Sequence, residues 1–358
     1  MRFLFKTRYE QDLRLFKDRH QAFWYALLIV ALLLAPLGIS EYYQTQFTLV
    51  FISSIVGFGL MLLTGFTGQM SMGHAAFLAI GAYTEAVLQA QGWPFVLSAP
   101  AGMLLAGLTG LVIGVPALRL TGIYLAIATL AFGFCVEEIL ARWESVTGGN
   151  SGLMVSSLKL LTEPLPAGVP FYYLCLFCVV AVAVLSANLL RSPTGRAFIA
   201  IRDSEVSAQS MGVNLARFKT TSFAISAAMT GLAGALYAHQ IMFISPEQFT
   251  LMVSIEFLMM IVIGGLGSLH GAVFGAIFLI MLPQGISVAK DYLPAVLAEQ
   301  TGLKMVIFGL IMIVFVLFEP QGLYGRWIKI RTYFSMFPLY KKGMFSRQKA
   351  YQKSERVH

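Results

Sequence analysis

The residues of this chain that could do chemistry sit in Gly-rich runs between long apolar stretches. The first run is Gly65-Phe66-Thr67-Gly68-Gln69-Met70-Ser71-Met72-Gly73-His74. Glycine permits close backbone approach, while Gln, Ser and His offer hydrogen bonds that lipid cannot satisfy. Gly68, Gln69, Ser71 and His74 are therefore candidates for a solute passage or gate. Tight helix packing by small residues fits the same run equally well. The second run is Ser254-Ile255-Glu256, followed by Gly264-Gly265-Leu266-Gly267-Ser268-Leu269-His270-Gly271. A carboxylate inside an apolar segment is costly and usually faces a partner or a wet cavity. Glu256 is the leading single candidate in the membrane, with Gly264 and Gly265 beside it. A structural role as a hydrogen-bond partner for a helix end competes with that reading.

Two further runs are weaker. Arg119-Leu120-Thr121-Gly122-Ile123-Tyr124 reads as a basic residue before a helix start, or as plain topology marking. Thr147-Gly148-Gly149-Asn150-Ser151-Gly152 reads as a docking surface or as a turn-rich loop. Neither a phosphate loop, nor a His-Glu-x-x-His metal helix, nor a Gly-x-Ser-x-Gly elbow occurs, and no Gly is followed by Lys. An enzyme, a metal site and a resident cofactor are not expected. Cys135, Cys175 and Cys178 all lie in apolar runs and read as small packing residues.

The third chemistry-bearing stretch is Gly195–Thr220, a polar and basic island between apolar runs. Asp203 or Ser204 can cap a helix, Glu205 falls in its first turn, and Gly212 can stop it. Val206, Ala208 and Met211 would be its apolar residues. A short helix on a basic loop suits insertion into a groove on a soluble partner; an ordinary connector is the other reading. Arg202, Asp203, Glu205, Ala208, Met211 and Gly212 are the candidate contact residues.

These groups need elements to carry them. The chain has 358 residues, 58% hydrophobic and only 12% charged, against about a quarter charged in soluble domains. The fold class is therefore all-α, a polytopic transmembrane bundle. Ten candidate segments fall at 22–40, 47–64, 71–91, 95–118, 121–140, 171–190, 220–243, 251–266, 270–289 and 303–319, with eight to ten as the range. Gly, Thr and Ser over 64–71 suggest that the second and third segments form one broken helix. The N-terminus, polar over Met1–His20 and then apolar over Gln21–Ser40, suits a retained first helix rather than a cleaved signal.

The net charge of +8 reads as topology marking and not as nucleic-acid binding. With both termini in the cytoplasm, all but four of the 25 Lys and Arg lie inside; Arg142, Lys159, Lys290 and Lys304 are the exceptions. The expected organisation is a cytoplasmic tail over 1–21, a permease domain over 22–325 and a basic cytoplasmic tail over 326–358. Within the permease domain, 191–219 forms the inner loop and 141–170 the outer one. Tyr333, Phe334, Phe337 and Tyr340, with Lys341 and Lys342, could lie on an anionic leaflet or belong to a plain charged tail. At an offset of 197 residues, Gly68, Ser71, Ala75, Phe77, Ala79 and Ile80 match Gly265, Ser268, Ala272, Phe274, Ala276 and Ile277. An internal repeat or chance would produce these matches, and both copies should run from inside to outside.

Six blocks in order resemble the permease subunits of ABC importers for branched-chain amino acids, of the LivM type. They are GFTGQMSMGHAAFLAIGAYTEA (65–86), RLTGIYLAIATLAFG (119–133), TGGNSGL (147–153), SPTGRAFIAIRDSEVSAQSMGVN (192–214), TGLAGALYAHQ (230–240) and SIEFLMMIVIGGLGSLHGAVFGA (254–276). The resemblance spans roughly Val50–Gly325. It implies a second, related permease subunit, two cytoplasmic ABC ATPase subunits that bind ATP and Mg, and an extracytoplasmic solute-binding protein. It also implies a bacterial inner-membrane location, and makes the island the coupling loop offered to the ATPases. The broad importer pattern has Glu-Ala-Ala with Gly six residues after the Glu; here Gly212 lies seven after Glu205, and Val206-Ser207 replaces Ala-Ala.

The expected function is inward movement of branched-chain or related small amino acids, driven by ATP hydrolysis in partner chains. Urea or short amides are alternative solutes. A secondary transporter or channel, with Glu256 as the ion- or proton-coupling residue, is the alternative of another class.

Overall fold

The computed structural model of the chain describes residues 19–118, 120, 122–156, 158–160, 168–290, 303–318 and 321–336. The expected N-terminal tail before Arg19, the pair Arg119 and Thr121, and the tail residues Phe337, Tyr340, Lys341 and Lys342 lie outside them.

Helices dominate: α1 (Arg19–Gly38), α2 (Glu41–Leu60), α3 (His74–Ala90), α4 (Phe95–Ala117), α5 (Ile123–Arg142) and α6 (Val169–Arg191). Two short helices follow, α7 (Pro193–Asp203) and α8 (Glu205–Ser210). Then come α9 (Leu215–Ile241), α10 (Leu251–Gly264), α11 (Leu269–Lys290), α12 (Leu303–Phe318) and α13 (Gly322–Met336). All ten expected segments lie on helices. Eight described helices are long and apolar enough to cross a membrane; α3 and the apolar stretch Val306–Phe315 of α12 are shorter. Strands β1 (Leu153–Met154) and β2 (Phe243–Ile244) pair antiparallel and tie the loop after α5 to the end of α9.

The 27-residue α9 is the spine, packed against α2, α3 and α4. Contacts along it fix the direction of its neighbours. From its first turn upward, Thr220 meets Gly114, Ser222 meets Gln69, Ser226 meets His74, Gly231 meets Gly81 and Gly102, and His239 meets Glu85 and Phe95. Helix α3 thus runs parallel to α9, and α4 runs against it. Helix α2 descends, with Gly59 beside Ser226 and Thr230, and Leu63 clustered with Phe223.

The irregularity expected over 64–71 is present in another form. Helix α2 passes into a π-helix at Met61–Phe66, the chain reverses through Thr67–Gly73, and α3 climbs back. The two segments are antiparallel arms of a reversal and do not form one interrupted helix. Thr64 and Thr67 hydroxyls donate to Gln69 O and Leu62 O inside it, satisfying carbonyls that the lost helix leaves open.

Close approach of backbones needs glycine at the α3–α9 crossing. A Cβ on Gly234 would stand 2.0 Å from Leu78 O, and one on Gly81 would stand 2.0 Å from Gly231 O. Gly234→Ala should therefore push the helices apart and cost about 1–3 kcal/mol, as overpacking does. Gly285→Ala, whose Cβ would meet nothing within 4 Å, should cost nothing. Thermal unfolding of the two variants in detergent separates these outcomes.

Candidate translocation gate and coupling helices

The sequence-predicted cluster Gln69, Ser71 and His74 assembles at the reversal between α2 and α3. All three side chains are buried. His74 Nδ1 pairs with Ser71 Oγ at 2.9 Å and Nε2 with Ser226 Oγ at 2.8 Å. Gln69 Nε2 donates to Ser222 Oγ at 2.9 Å, while Gln69 Oε1 is buried without a hydrogen-bond partner among the described residues. The reversal is also held from two other helices: Met72 N donates to Thr129 Oγ1 on α5, and Ala75 N donates to Ser254 Oγ on α10. A polar, non-helical backbone segment is thus enclosed by apolar helices and latched by hydroxyls from α5, α9 and α10.

Gly68 has φ of +77° and lies against the Arg202 side chain, where a Cβ would come within 3.2 Å of Arg202 Cγ. The Arg202 guanidinium donates from Nη1 to Gly65 O at 3.2 Å and from Nε and Nη2 to Asp203 Oδ1 at 3.1 and 3.0 Å. The polar island is therefore in direct contact with the reversal.

The island folds as two helices. Ser192 caps α7, its side chain accepting from Gly195 N with Pro193 in the first turn; Ser204 caps α8, accepting from Ser207 N. Of the two caps offered by the sequence, Ser204 is the one used, and α8 begins at Glu205. The α7 helix was not expected, although Ser-Pro is its start signal. Val206 on α8 and Met211, the residue just past its end, point outward with 80% and 85% of their surface exposed. Ala208 is buried, which corrects its placement among contact residues: it packs the underside of the helix. Glu205 binds Lys219 Nζ at 2.7 Å, and Lys219 is almost fully buried. Gly212, with φ of +83°, ends the helix as expected.

The second candidate group divides. Glu256 on α10 is half-buried and, among the described residues, makes no hydrogen bond or ion pair; Tyr237 is its electrostatic neighbour. It takes no part in the hydrogen-bonded cluster around His74. Gly264 has a packing role, because a Cβ there would lie 1.9 Å from Gly271 O across the α10–α11 turn. Gly265, with φ of +113°, abuts Gln321 and Tyr324.

The suspected repeat appears as reciprocal contact. Ala75 on α3 bonds Ser254 on α10, while Ala272 on α11 lies 3.2 Å from the Cβ position of Gly57 on α2. Ala75 and Ala272, and Gly57 and Ser254, are the same two positions at the 197-residue offset. The exchange stops at these contacts, because α10 packs closely along α11 whereas α2 and α3 make little or no direct contact. Both copies are a descending helix, a Gly-rich reversal and an ascending helix, so they run in the same direction.

The structure adds two pairs absent from the candidates. Glu85 Oε1 meets His239 Nε2 at 3.0 Å with both side chains buried, and Lys219 meets Glu205. Glu85 is the lone acid inside the α3 segment, which was the available signal for it. Among the described residues no group of His, Cys, Asp and Glu could hold a metal.

A bundle of apolar helices around a polar reversal, with a short helix pair hung from that level, is the build of a multi-pass membrane permease. The chain belongs to the family of the branched-chain amino acid transport system permease component, whose model matches residues 42–316. It is 32% identical to the high-affinity branched-chain amino acid transport system permease protein LivM of Escherichia coli K12 over 330 residues, 85% of this chain and 75% of that one. A probable branched-chain amino acid transport permease protein LivM of Methanocaldococcus jannaschii is 25% identical over 62% of this chain and 66% of that one. The autoinducer 2 import system permease protein LsrC of Yersinia enterocolitica is 27% identical over 71% of this chain and 72% of its own length. No solved structure matches.

Removing one member of a buried pair strands the other. His239→Ala should destabilise the protein by about 3–5 kcal/mol by leaving Glu85 buried and unpaired. The double replacement Glu85→Leu/His239→Leu should recover most of that loss. Denaturant unfolding in detergent, read as a double-mutant cycle, checks both.

Proposed function

We propose that this chain is one membrane-spanning half of an ATP-driven importer that moves branched-chain amino acids into a bacterial cytoplasm. In this reading it lies in the inner membrane with both termini and the α7–α8 pair on the cytoplasmic side. A second, related permease completes the pathway, two ATPase subunits holding ATP and Mg dock on α8, and an extracytoplasmic binding protein delivers the solute. The carrying observation is α8 itself. It presents Val206 and Met211 to solvent while Glu205–Lys219 and Arg202–Gly65 brace it from behind. An apolar ridge on a rigid mount is suited to receive a push. The Lys and Arg distribution supports the orientation. Branched-chain amino acids are preferred as solute because the LivM relative of Escherichia coli is matched over more of this chain, and at higher identity, than the LsrC relative of Yersinia enterocolitica.

The test is reconstitution of this chain with its partner permease, ATPases and binding protein in proteoliposomes. Uptake of leucine, isoleucine or valine should require ATP and all components. Uptake by this chain alone, driven by a pH gradient without ATP, would favour a secondary transporter working through Glu256 and sink the proposal.

The docking surface has its own test. Burying an apolar side chain of this size is worth about 1.5–3 kcal/mol. Val206→Asp/Met211→Asp should therefore weaken retention of the ATPase subunits at least ~10-fold, measured by co-purification or biolayer interferometry. Folding should be unaffected, since both side chains face solvent.

A further inference from the structure

We infer that Arg202 is a positioning residue that transmits the movement of helix α8 to both Gly-rich reversals of the permease, at Gly65–Gly68 and at Gly267. The inference rests on the importer reading above and names the part of the chain that would do the coupling.

Arg202 lies in the last turn of α7, next to the Ser204 cap that starts α8. A basic residue there could serve only its own helix end. Its contacts go elsewhere. Nη1 donates to the carbonyl of Gly65, 137 residues away in sequence, and the stem covers Gly68. The same Nη1 lies 3.4 Å from the Cβ position of Gly267 in the second reversal. Gly267 N in turn donates to Met61 Sδ, in the π-helix that leads into the first reversal. One guanidinium therefore sits where the two repeat-related loops converge. Asp203, bonded to Nε and Nη2, fixes its orientation from the α8 side.

A second linkage runs parallel to the first and ends on the same loop. Glu205 in the first turn of α8 binds the buried Lys219 of α9. Ser222 Oγ donates to Lys219 O and accepts from Gln69, and Ser226 pairs with His74 one turn higher. Displacement of α8 relative to the membrane helices thus reaches residues 65–74 through Arg202 directly and through α9. At the end of the second linkage stands the unpartnered Gln69 Oε1.

Arginine suits this position because its planar fork holds two partners at once in fixed geometry. Lysine can reach the Gly65 carbonyl or Asp203, but as a single point donor.

The test uses the full complex in proteoliposomes and reads the ATP hydrolysed per solute imported, beside assembly of the subunits. Arg202 turns its guanidinium to Gly65 and Asp203, so in the complexes that assemble Arg202→Ala should lower uptake more than hydrolysis, raising the ratio ~10-fold or more. Arg202→Lys should restore part of the coupling. Asp203→Asn, at an exposed side chain, should raise the ratio by a smaller factor, and it keeps the test decisive where Arg202→Ala fails to assemble. A ratio unchanged from wild type in Arg202→Ala and Asp203→Asn, with uptake and hydrolysis falling together, would overturn the inference while leaving the importer reading intact. A wild-type complex without ATP-driven uptake would overturn both.

Discussion

A chain that lives in lipid has to satisfy its own backbone, and the reversal at Thr67–Gly73 is where that requirement bears hardest. Helices on both sides solve the problem within themselves. The reversal cannot, and so it borrows. Gln69 N reaches Leu63 O, Thr67 N reaches Leu62 O, Met72 N takes the Thr129 hydroxyl and Ala75 N takes that of Ser254. Four helices are thereby tied to one irregular segment. Its polar side chains are there first to make such backbone possible, and only then to serve a passage. Of the two readings of the Gly-rich run, tight packing is the one these contacts express, and the passage belongs to the proposed function.

The spine α9 depends on the same economy of space. Gly231 and Gly234 let α3 and α4 approach to backbone contact, and that approach brings Ser222 and Ser226 within reach of Gln69 and His74. Larger residues would hold the helices apart and break hydrogen bonds that have no water to replace them. Two side-chain pairs sit near the ends of this spine, the ion pair Lys219–Glu205 at one and the hydrogen-bonded His239–Glu85 at the other. Between them the polar contacts of α9 to α3 come from hydroxyls, an amide and an imidazole.

Much of this was legible in the sequence because hydropathy and Lys/Arg placement are local or additive signals. The apolar segments, the polar island and the Gly-rich runs could be read directly, as could the stop of α8 at Gly212, while its cap was open between Asp203 and Ser204 until the structure placed it at Ser204. What could not be read was pairing. Arg202 with Gly65, Glu85 with His239 and Lys219 with Glu205 join elements through helix order and rotation, which no window of residues contains. Glu256 looked more important than Gln69 because a charge in lipid is conspicuous; an amide oxygen left open in a buried loop becomes visible only once its neighbours are placed. The sense of the arms around 64–71 stayed open for a related reason, since ten separate segments make them antiparallel and one broken helix does not. Glycine and threonine announce irregular backbone without saying which way the chain leaves it.

The π-helical end of α2 and the turn between α10 and α11 meet through Met61, Gly65 and Gly267. Two similar reversals stand side by side, each fed by a descending helix, and they touch through Met61 and Gly267. A small shift of one cannot occur without a response from the other, because close-packed interiors move between discrete arrangements and do not deform smoothly. The helix pair α7–α8 is inserted between the repeats in sequence and braced against both in space. Under the importer proposal, a displacement of this pair would bear on both loops at once through Arg202.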